Sequence, residues 1–154
     1  MTTMQTHPRP ASSRAHVSPP ALRLLATSRA ALREAQRADS APERYATAHL
    51  AALRAAAAIL AARARPGDAR TRRPTSAWVL LSTVAPELGE WAAYFAAGAD
   101  KRAAALAGMR SAVTPREADD LLRDATTFLA LVETTLGLLA DESPFTAPVF
   151  HRAG

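Results

Sequence analysis

The residues best suited to catalysis are an arginine and a histidine five positions apart, Arg44 and His49, in the run Arg-Tyr-Ala-Thr-Ala-His. An imidazole can move the proton of a ribose 2′-hydroxyl, and a guanidinium can stabilise charge on a phosphate, so the two could cleave RNA. On a regular helix each residue turns by about 100°, which separates these side chains by roughly 140°. They could then act together only across a dimer interface or at an irregular helix start. The alternative is that His49 is a histidine packed and hydrogen-bonded in the core.

Arginines cluster at a second place, between residues 65 and 75, where Pro66-Gly67 and Pro74 predict a loop. Guanidiniums on a loop would bind phosphates with a salt-sensitive affinity. No aromatic residue is interleaved with them, so a platform for base stacking is not supported. The alternative is a solvated loop whose arginines reflect codon usage, since 18 of the 19 basic residues of this alanine-rich chain are arginine. The candidate anion contacts of this loop are Arg65, Arg70, Arg72 and Arg73.

Arg102 is a third candidate for anion binding. If its helix ran straight through Gly98, the Arg102 side chain would fall on the apolar row of that helix. A buried guanidinium without a partner is costly. We therefore expect either a bend at Gly98, or contact of Arg102 with an anion or with a carboxylate such as Asp120 or Asp124.

The sequence predicts no metal site and no cofactor. Asp120 and Asp124 lie one helical turn apart and could share a hard cation, but acidic residues near a helix start are equally expected from the helix dipole. The other histidines form no ligand spacing. A glycine-rich phosphate loop and the common hydrolase motifs are absent, and the chain has no cysteine for a disulfide or a thiolate site.

Length and composition bound the class of protein. The chain has 154 residues, of which 49% are hydrophobic, so we expect one domain with a sizeable core. A net charge of +5 makes polyanions the partners to consider first. No stretch resembles a secretory signal or a membrane span, which predicts a cytoplasmic protein without membrane contact. We expect a disordered arm over 1–18, a helical domain over 19–140 and a C-terminal tail over 141–154.

Periodicity and capping residues predict an all-α protein. Apolar residues recur at helical spacing, and no strand pattern is present. Ser40 with Glu43 forms a capping box, and Thr114 with Pro115 and Glu117 marks the clearest helix start. The predicted helices run from Pro19 to about Asp39, from Ser40 to about Arg65, from Ser76 to Ala85, from Pro86 to a stop at Gly108 with a kink at Gly98, and from Thr114 to about Ala140.

Several of these segments resemble a known family. The runs at 43–60, 76–81, 86–98 and 118–123, above all Ser-Ala-Trp and Glu-Trp-Ala-Ala-Tyr-Phe, are similar to an actinobacterial branch of the HEPN superfamily (higher eukaryote and prokaryote nucleotide-binding). The resemblance covers roughly Leu22 to Leu139. It implies an up-and-down bundle of four or five helices, often dimeric. Many members are metal-independent RNases, frequently toxins paired with a nucleotidyltransferase-fold antitoxin, with an Arg-x4-6-His signature in or near a late helix.

In this chain the matching spacing lies in the second helix, at Arg44 and His49, and the fifth predicted helix contains no histidine. We therefore favour a non-catalytic HEPN-like module that binds RNA, a nucleotide or a partner protein. The alternatives are a metal-independent RNase that uses this Arg-x4-His pair and a homodimerising adaptor, so the sequence alone leaves open whether the protein is an enzyme.

Overall fold

The computed structural model describes residues 17–63 and 76–138. Its regular elements are six α-helices and one short 3₁₀ helix, and these ranges contain no strand. The predicted arginine loop, the N-terminal arm up to residue 16 and the predicted tail lie outside the described residues. The helices are α1 (Pro19–Arg37), α2 (Ala41–Arg63), α3 (Ala77–Val84), α4 (Gly89–Ala97), α5 (Ala99–Leu106) and α6 (Pro115–Thr135), with the 3₁₀ helix at Pro86–Leu88.

The helix starts follow from local chemistry. Ser18 caps α1, and the Ser40 Oγ accepts a hydrogen bond of 3.2 Å from the Glu43 amide in the first turn of α2. Ser76 caps α3, and the Thr114 Oγ1 accepts a bond of 3.1 Å from the Glu117 amide at the start of α6. Because each cap satisfies an amide that has no partner within its helix, the sequence predicts these starts to within a residue.

The helices that surround α2 alternate in direction. α1 runs antiparallel to α2, since the Ser28 Oγ donates to the Ala51 carbonyl oxygen at 2.7 Å in the middle of both helices. α6 runs parallel to α2, because Arg44 and Asp119, each near the start of its helix, form an ion pair. The α4–α5 segment returns antiparallel to α2. The structure is thus the predicted all-α up-and-down bundle, with α3 as a short additional helix.

Alanine lets the other helices approach α2 closely. Its buried face carries mostly methyl groups, and α1, α3, α5 and α6 all pack against it. By length and composition alone α2 could cross a membrane, but in this structure it is the central helix of the bundle. Its buried alanines are Ala46, Ala48, Ala51, Ala52, Ala55, Ala56 and Ala58.

The predicted fourth helix is divided at Gly98, which confirms the kink. A Cβ atom at this position would lie 2.5 Å from the Tyr45 hydroxyl oxygen, so a side chain here would collide with α2. The Gly98 amide bonds to the Phe95 carbonyl oxygen at 3.1 Å, an i to i+3 bond that tightens the last turn of α4. After the bend α5 packs against α2, while α4 contacts α2 through Phe95 and His49.

The predicted end of α6 was wrong by several residues. The helix ends at Thr135, not near Ala140, because Gly137 takes a positive φ of 75°. The Leu138 amide then bonds back to the Glu133 carbonyl oxygen at 2.9 Å, which closes the helix in a Schellman arrangement. The apolar residues at 136–139 continue the helical period of the sequence although the helix has already stopped.

Candidate functional site

His49 is enclosed in the core, with 1% of its surface exposed. The Trp78 and Phe95 rings meet it edge-on at centroid distances of 5.8 and 6.1 Å, and the Tyr45 ring is stacked at 6.4 Å. Its Nε2 lies 2.8 Å from the Phe95 carbonyl oxygen. A carbonyl oxygen only accepts, so Nε2 carries the proton and Nδ1 is left as an acceptor. That Nδ1 is buried and has no hydrogen-bond partner among the described residues.

The surroundings of His49 hold its side chain neutral. Burial lowers the pKa of His49 below the ordinary value of 6.5 because the charged form loses its hydration. The bond to the Phe95 carbonyl oxygen opposes this shift, and the positive charge of Arg102 lowers the pKa further. At neutral pH the imidazole is therefore uncharged and shielded from solvent.

The Arg44 side chain forms its hydrogen bonds with Asp119 and Ala38 and not with His49. Its Nη1 donates to the Asp119 carboxylate at 2.8 Å, and its Nη2 donates to the Ala38 carbonyl oxygen at 2.9 Å. α2 is regular from Ala41 onward, so the two side chains diverge as helical geometry requires. The structure uses Arg44 to join the start of α2 to α6 and to the turn after α1. It does not bring Arg44 and His49 together at one site.

The Arg102 side chain forms no ion pair or hydrogen bond with the described residues, and its Nε is buried. Its two proposed carboxylate partners are engaged elsewhere, Asp120 with Arg123 at 2.9 Å and Asp124 with the Tyr94 hydroxyl at 2.6 Å. The positive charge of Arg102 is the smallest of the influences on the pKa of His49. Arg102 Nε and His49 Nδ1 are the buried side-chain nitrogens that lack a hydrogen-bond partner among the described residues.

Acidic residues of α6 are bonded to side chains of the neighbouring helices. Glu117 bonds to Lys101 of α5, and the bond from Tyr94 to Asp124 joins α4 to α6. Burial and this bond raise the pKa of Tyr94, which therefore stays protonated and donates. Within residues 17–63 and 76–138, no three metal-ligating side chains come together.

An open groove lies between the start of α2 and the turn from α5 to α6, with a volume of about 830 Å³. Its floor is formed by small and apolar side chains such as Ala46 and Val113, and Glu43 and Arg110 lie at its edge. Neither His49 nor Arg102 lines it, so the groove is separate from the buried polar pair.

Charge is nearly balanced in the described part of the chain, which contains 12 of the 19 basic residues and 11 of the 14 acidic residues. Most of the net charge of +5 therefore lies outside it, where Arg65, Arg70, Arg72 and Arg73 are found. The structure places none of these four arginines.

Two contacts at the site were not predicted from the sequence. The Phe95 carbonyl oxygen that accepts from His49 is a backbone atom 46 residues away, so no residue type marks it. The contact of the Tyr45 hydroxyl with Gly98 is also not visible in a motif. A glycine inside an apolar helical row was the only signal of a close approach.

Fold and site together define a helical bundle whose histidine is sealed among aromatic rings. A family model described as HEPN-like matches residues 35–133, which extend from the last turn of α1 to the last turn of α6. The chain therefore belongs to the HEPN family. No curated protein and no solved structure matches it.

Proposed function

We propose that this protein is a HEPN module that does not cleave RNA with Arg44 and His49 and that acts instead by binding RNA. The first half of this proposal, the absence of cleavage by Arg44 and His49, rests on the burial of the His49 side chain. The second half, binding of RNA, rests on the excess of positive charge in the sequence outside the described residues.

A general acid or base must come within hydrogen-bond distance of the proton that it transfers. The Nε2 of His49 is already bonded to the Phe95 carbonyl oxygen, and its Nδ1 has no solvent contact. The Arg44 guanidinium, which would stabilise the phosphate, is committed to Asp119 and to a backbone carbonyl oxygen. Neither partner is available to a phosphodiester in this arrangement.

Binding is supported by the uneven charge distribution. Because the bundle itself is close to neutral, a polyanion would be attracted mainly by arginines outside it. Four guanidiniums at 65–73 would contact phosphates without reading sequence. On a single-stranded RNA, four such contacts predict a slope of about −3 for the logarithm of affinity against the logarithm of salt concentration.

The binding experiment is a titration of a labelled single-stranded RNA, followed by fluorescence anisotropy at several salt concentrations. Changing Arg70, Arg72 and Arg73 to Glu should abolish binding. A matched control changes the exposed Arg23, Arg33 and Arg116 to Glu, which alters net charge equally and should leave most of the affinity. An equal loss in both variants would show that binding depends on net charge and not on the loop. No binding by the wild-type protein would favour a protein-binding adaptor.

The cleavage experiment incubates the same RNA with wild-type protein and with His49→Gln and Arg44→Ala. We expect no cleavage above background in any sample, with circular dichroism confirming that each variant is folded. Cleavage by the wild type that disappears in both folded variants would establish the RNase alternative.

A further inference from the structure

We propose that a second copy of this chain binds in the open groove between the start of α2 and the turn from α5 to α6, with the two copies related by a two-fold axis. The proposal goes beyond RNA binding and does not rest on it, since the arginines at 65–73 take no part. It gives a function to exposed apolar side chains that a single copy of the bundle leaves uncovered.

One side of the groove carries apolar side chains that project into solvent. Leu106, which lines the groove, is 65% exposed, the highest value for a large apolar side chain among the described residues. Met109 is 55% exposed and lies between Gly108 and Arg110, which both line the groove. Exposed apolar side chains next to each other at a groove are typical of a protein–protein contact.

The floor of the groove can bury such side chains. The first two turns of α2 contribute Ala46 and Thr47, and Ala105 and Val113 contribute from the other side. Because these side chains are small, they leave a volume of about 830 Å³ between the helices. One chain therefore carries both a projecting apolar group and a groove in which the same group of another copy can be buried.

The charges at the edges of the groove are complementary between two copies. Glu43 on α2 and Arg110 on the turn after α5 are exposed, and neither side chain has an ion pair or hydrogen bond with the described residues. In a two-fold dimer every contact occurs twice. Glu43 of one copy would meet Arg110 of the partner subunit, and the reciprocal pair would form on the other side of the axis.

A second copy fits this surface better than a strongly charged partner does. Among the residues that line the groove, one is acidic and one is basic, so the groove has no excess of either sign with which to attract a polyanion or a polycation. A two-fold interface requires that one patch carry both halves of each contact. This patch does so for the apolar contact and for the ion pair.

The test measures the mass of the full-length protein in solution by sedimentation equilibrium over a range of concentrations. We expect a reversible equilibrium between monomer and dimer in the wild type. Glu43→Arg and Arg110→Glu each place like charges opposite each other twice in the dimer, so each should raise the dissociation constant by about tenfold or more. Circular dichroism checks that both variants are folded.

A mixture of the two variants separates a specific ion pair from a general effect of charge. In the mixed dimer the two substituted side chains meet with opposite charges, and the two unchanged side chains do the same. The mixture should therefore form dimers at concentrations at which each variant alone is monomeric. The variant that combines both substitutions should also dimerise.

Leu106→Gln should weaken the dimer because it removes the projecting apolar group. Val79→Gln is the matched control, since Val79 is 56% exposed on α3, and it should leave the dissociation constant unchanged. A dimer that is insensitive to Glu43→Arg and Arg110→Glu, or a mixture that stays monomeric, would overturn the proposal. A wild type that is monomeric at every concentration would also overturn it and would leave the groove to residues 139–154 or to a different protein.

Discussion

Gly98→Ala tests whether the bundle depends on the close approach of α4–α5 to α2. Gly98 has φ −85° and ψ −2°, which alanine also adopts, so backbone entropy alone would favour alanine by roughly 0.5–1 kcal/mol. The new Cβ would, however, lie 2.5 Å from the Tyr45 hydroxyl oxygen. The Tyr45 ring is 6% exposed and stacked on His49, so the hydroxyl cannot move without disturbing its neighbours.

Overpacking of this kind costs about 1–3 kcal/mol, so after the backbone gain we expect a net loss of up to about 2.5 kcal/mol in the free energy of unfolding. The measurement is denaturant unfolding followed by far-UV circular dichroism. Gly89→Ala is the matched control, because no atom lies within 4 Å of its Cβ position, and it should be neutral or stabilising.

The double variant Gly98→Ala with Tyr45→Phe separates the collision from other effects, since it removes the oxygen that the Cβ meets. It should recover most of the lost stability. If Gly98→Ala stabilised the protein as much as Gly89→Ala, or if Tyr45→Phe brought no recovery, the collision would not be the reason for glycine at this position.

Three further changes test contacts inside the bundle. Because the pKa of His49 is lower in the folded protein than in the unfolded chain, the wild type should lose stability as the pH falls below about 6.5, by up to about 1.4 kcal/mol per pH unit until the folded pKa is reached. Unfolding titrations of the wild type and of His49→Gln at several pH values would show this difference. Parallel pH profiles of the two proteins would contradict it. Tyr94→Phe removes a 2.6 Å bond to the Asp124 carboxylate and should cost about 1.5–3 kcal/mol in denaturant unfolding, whereas a change near zero would mean that this bond does not join the helices. Ser28→Ala removes a buried bond to the Ala51 carbonyl oxygen and should lower stability by about 0.5–1.5 kcal/mol in the same measurement; no loss would mean that the bond has no net value.

The helix starts were predictable because the signals are local. Ser40 and Thr114 each cap an amide three residues ahead, and no distant residue is needed for that bond. The end of α6 was harder, because the apolar period at 136–139 continues past Gly137 and competes with the glycine signal. The spacing of apolar residues indicates which face of a helix is buried, but it does not indicate the residue at which the helix ends.

The candidate site was predictable only in part. The place of His49 on the apolar face of α2 indicated a packed side chain, and the structure places it in the core. The surroundings of Arg102 could not be derived, since they depend on the bend at Gly98 and on the register of α5 against α6. No local pattern in the sequence specifies either quantity, and in the structure Asp120 and Asp124 bond to Arg123 and Tyr94 and not to Arg102.

The methyl-lined surface of α2 reverses the usual order of mutational sensitivity. In most cores the largest side chains tolerate change least, because truncating them leaves cavities. Here Ala48, Ala52 and Ala55 are fully buried where neighbouring backbones come close, so enlarging them forces whole helices apart. In a saturation mutagenesis of this protein, we expect these buried alanines of α2 to be the positions that tolerate the fewest substitutions.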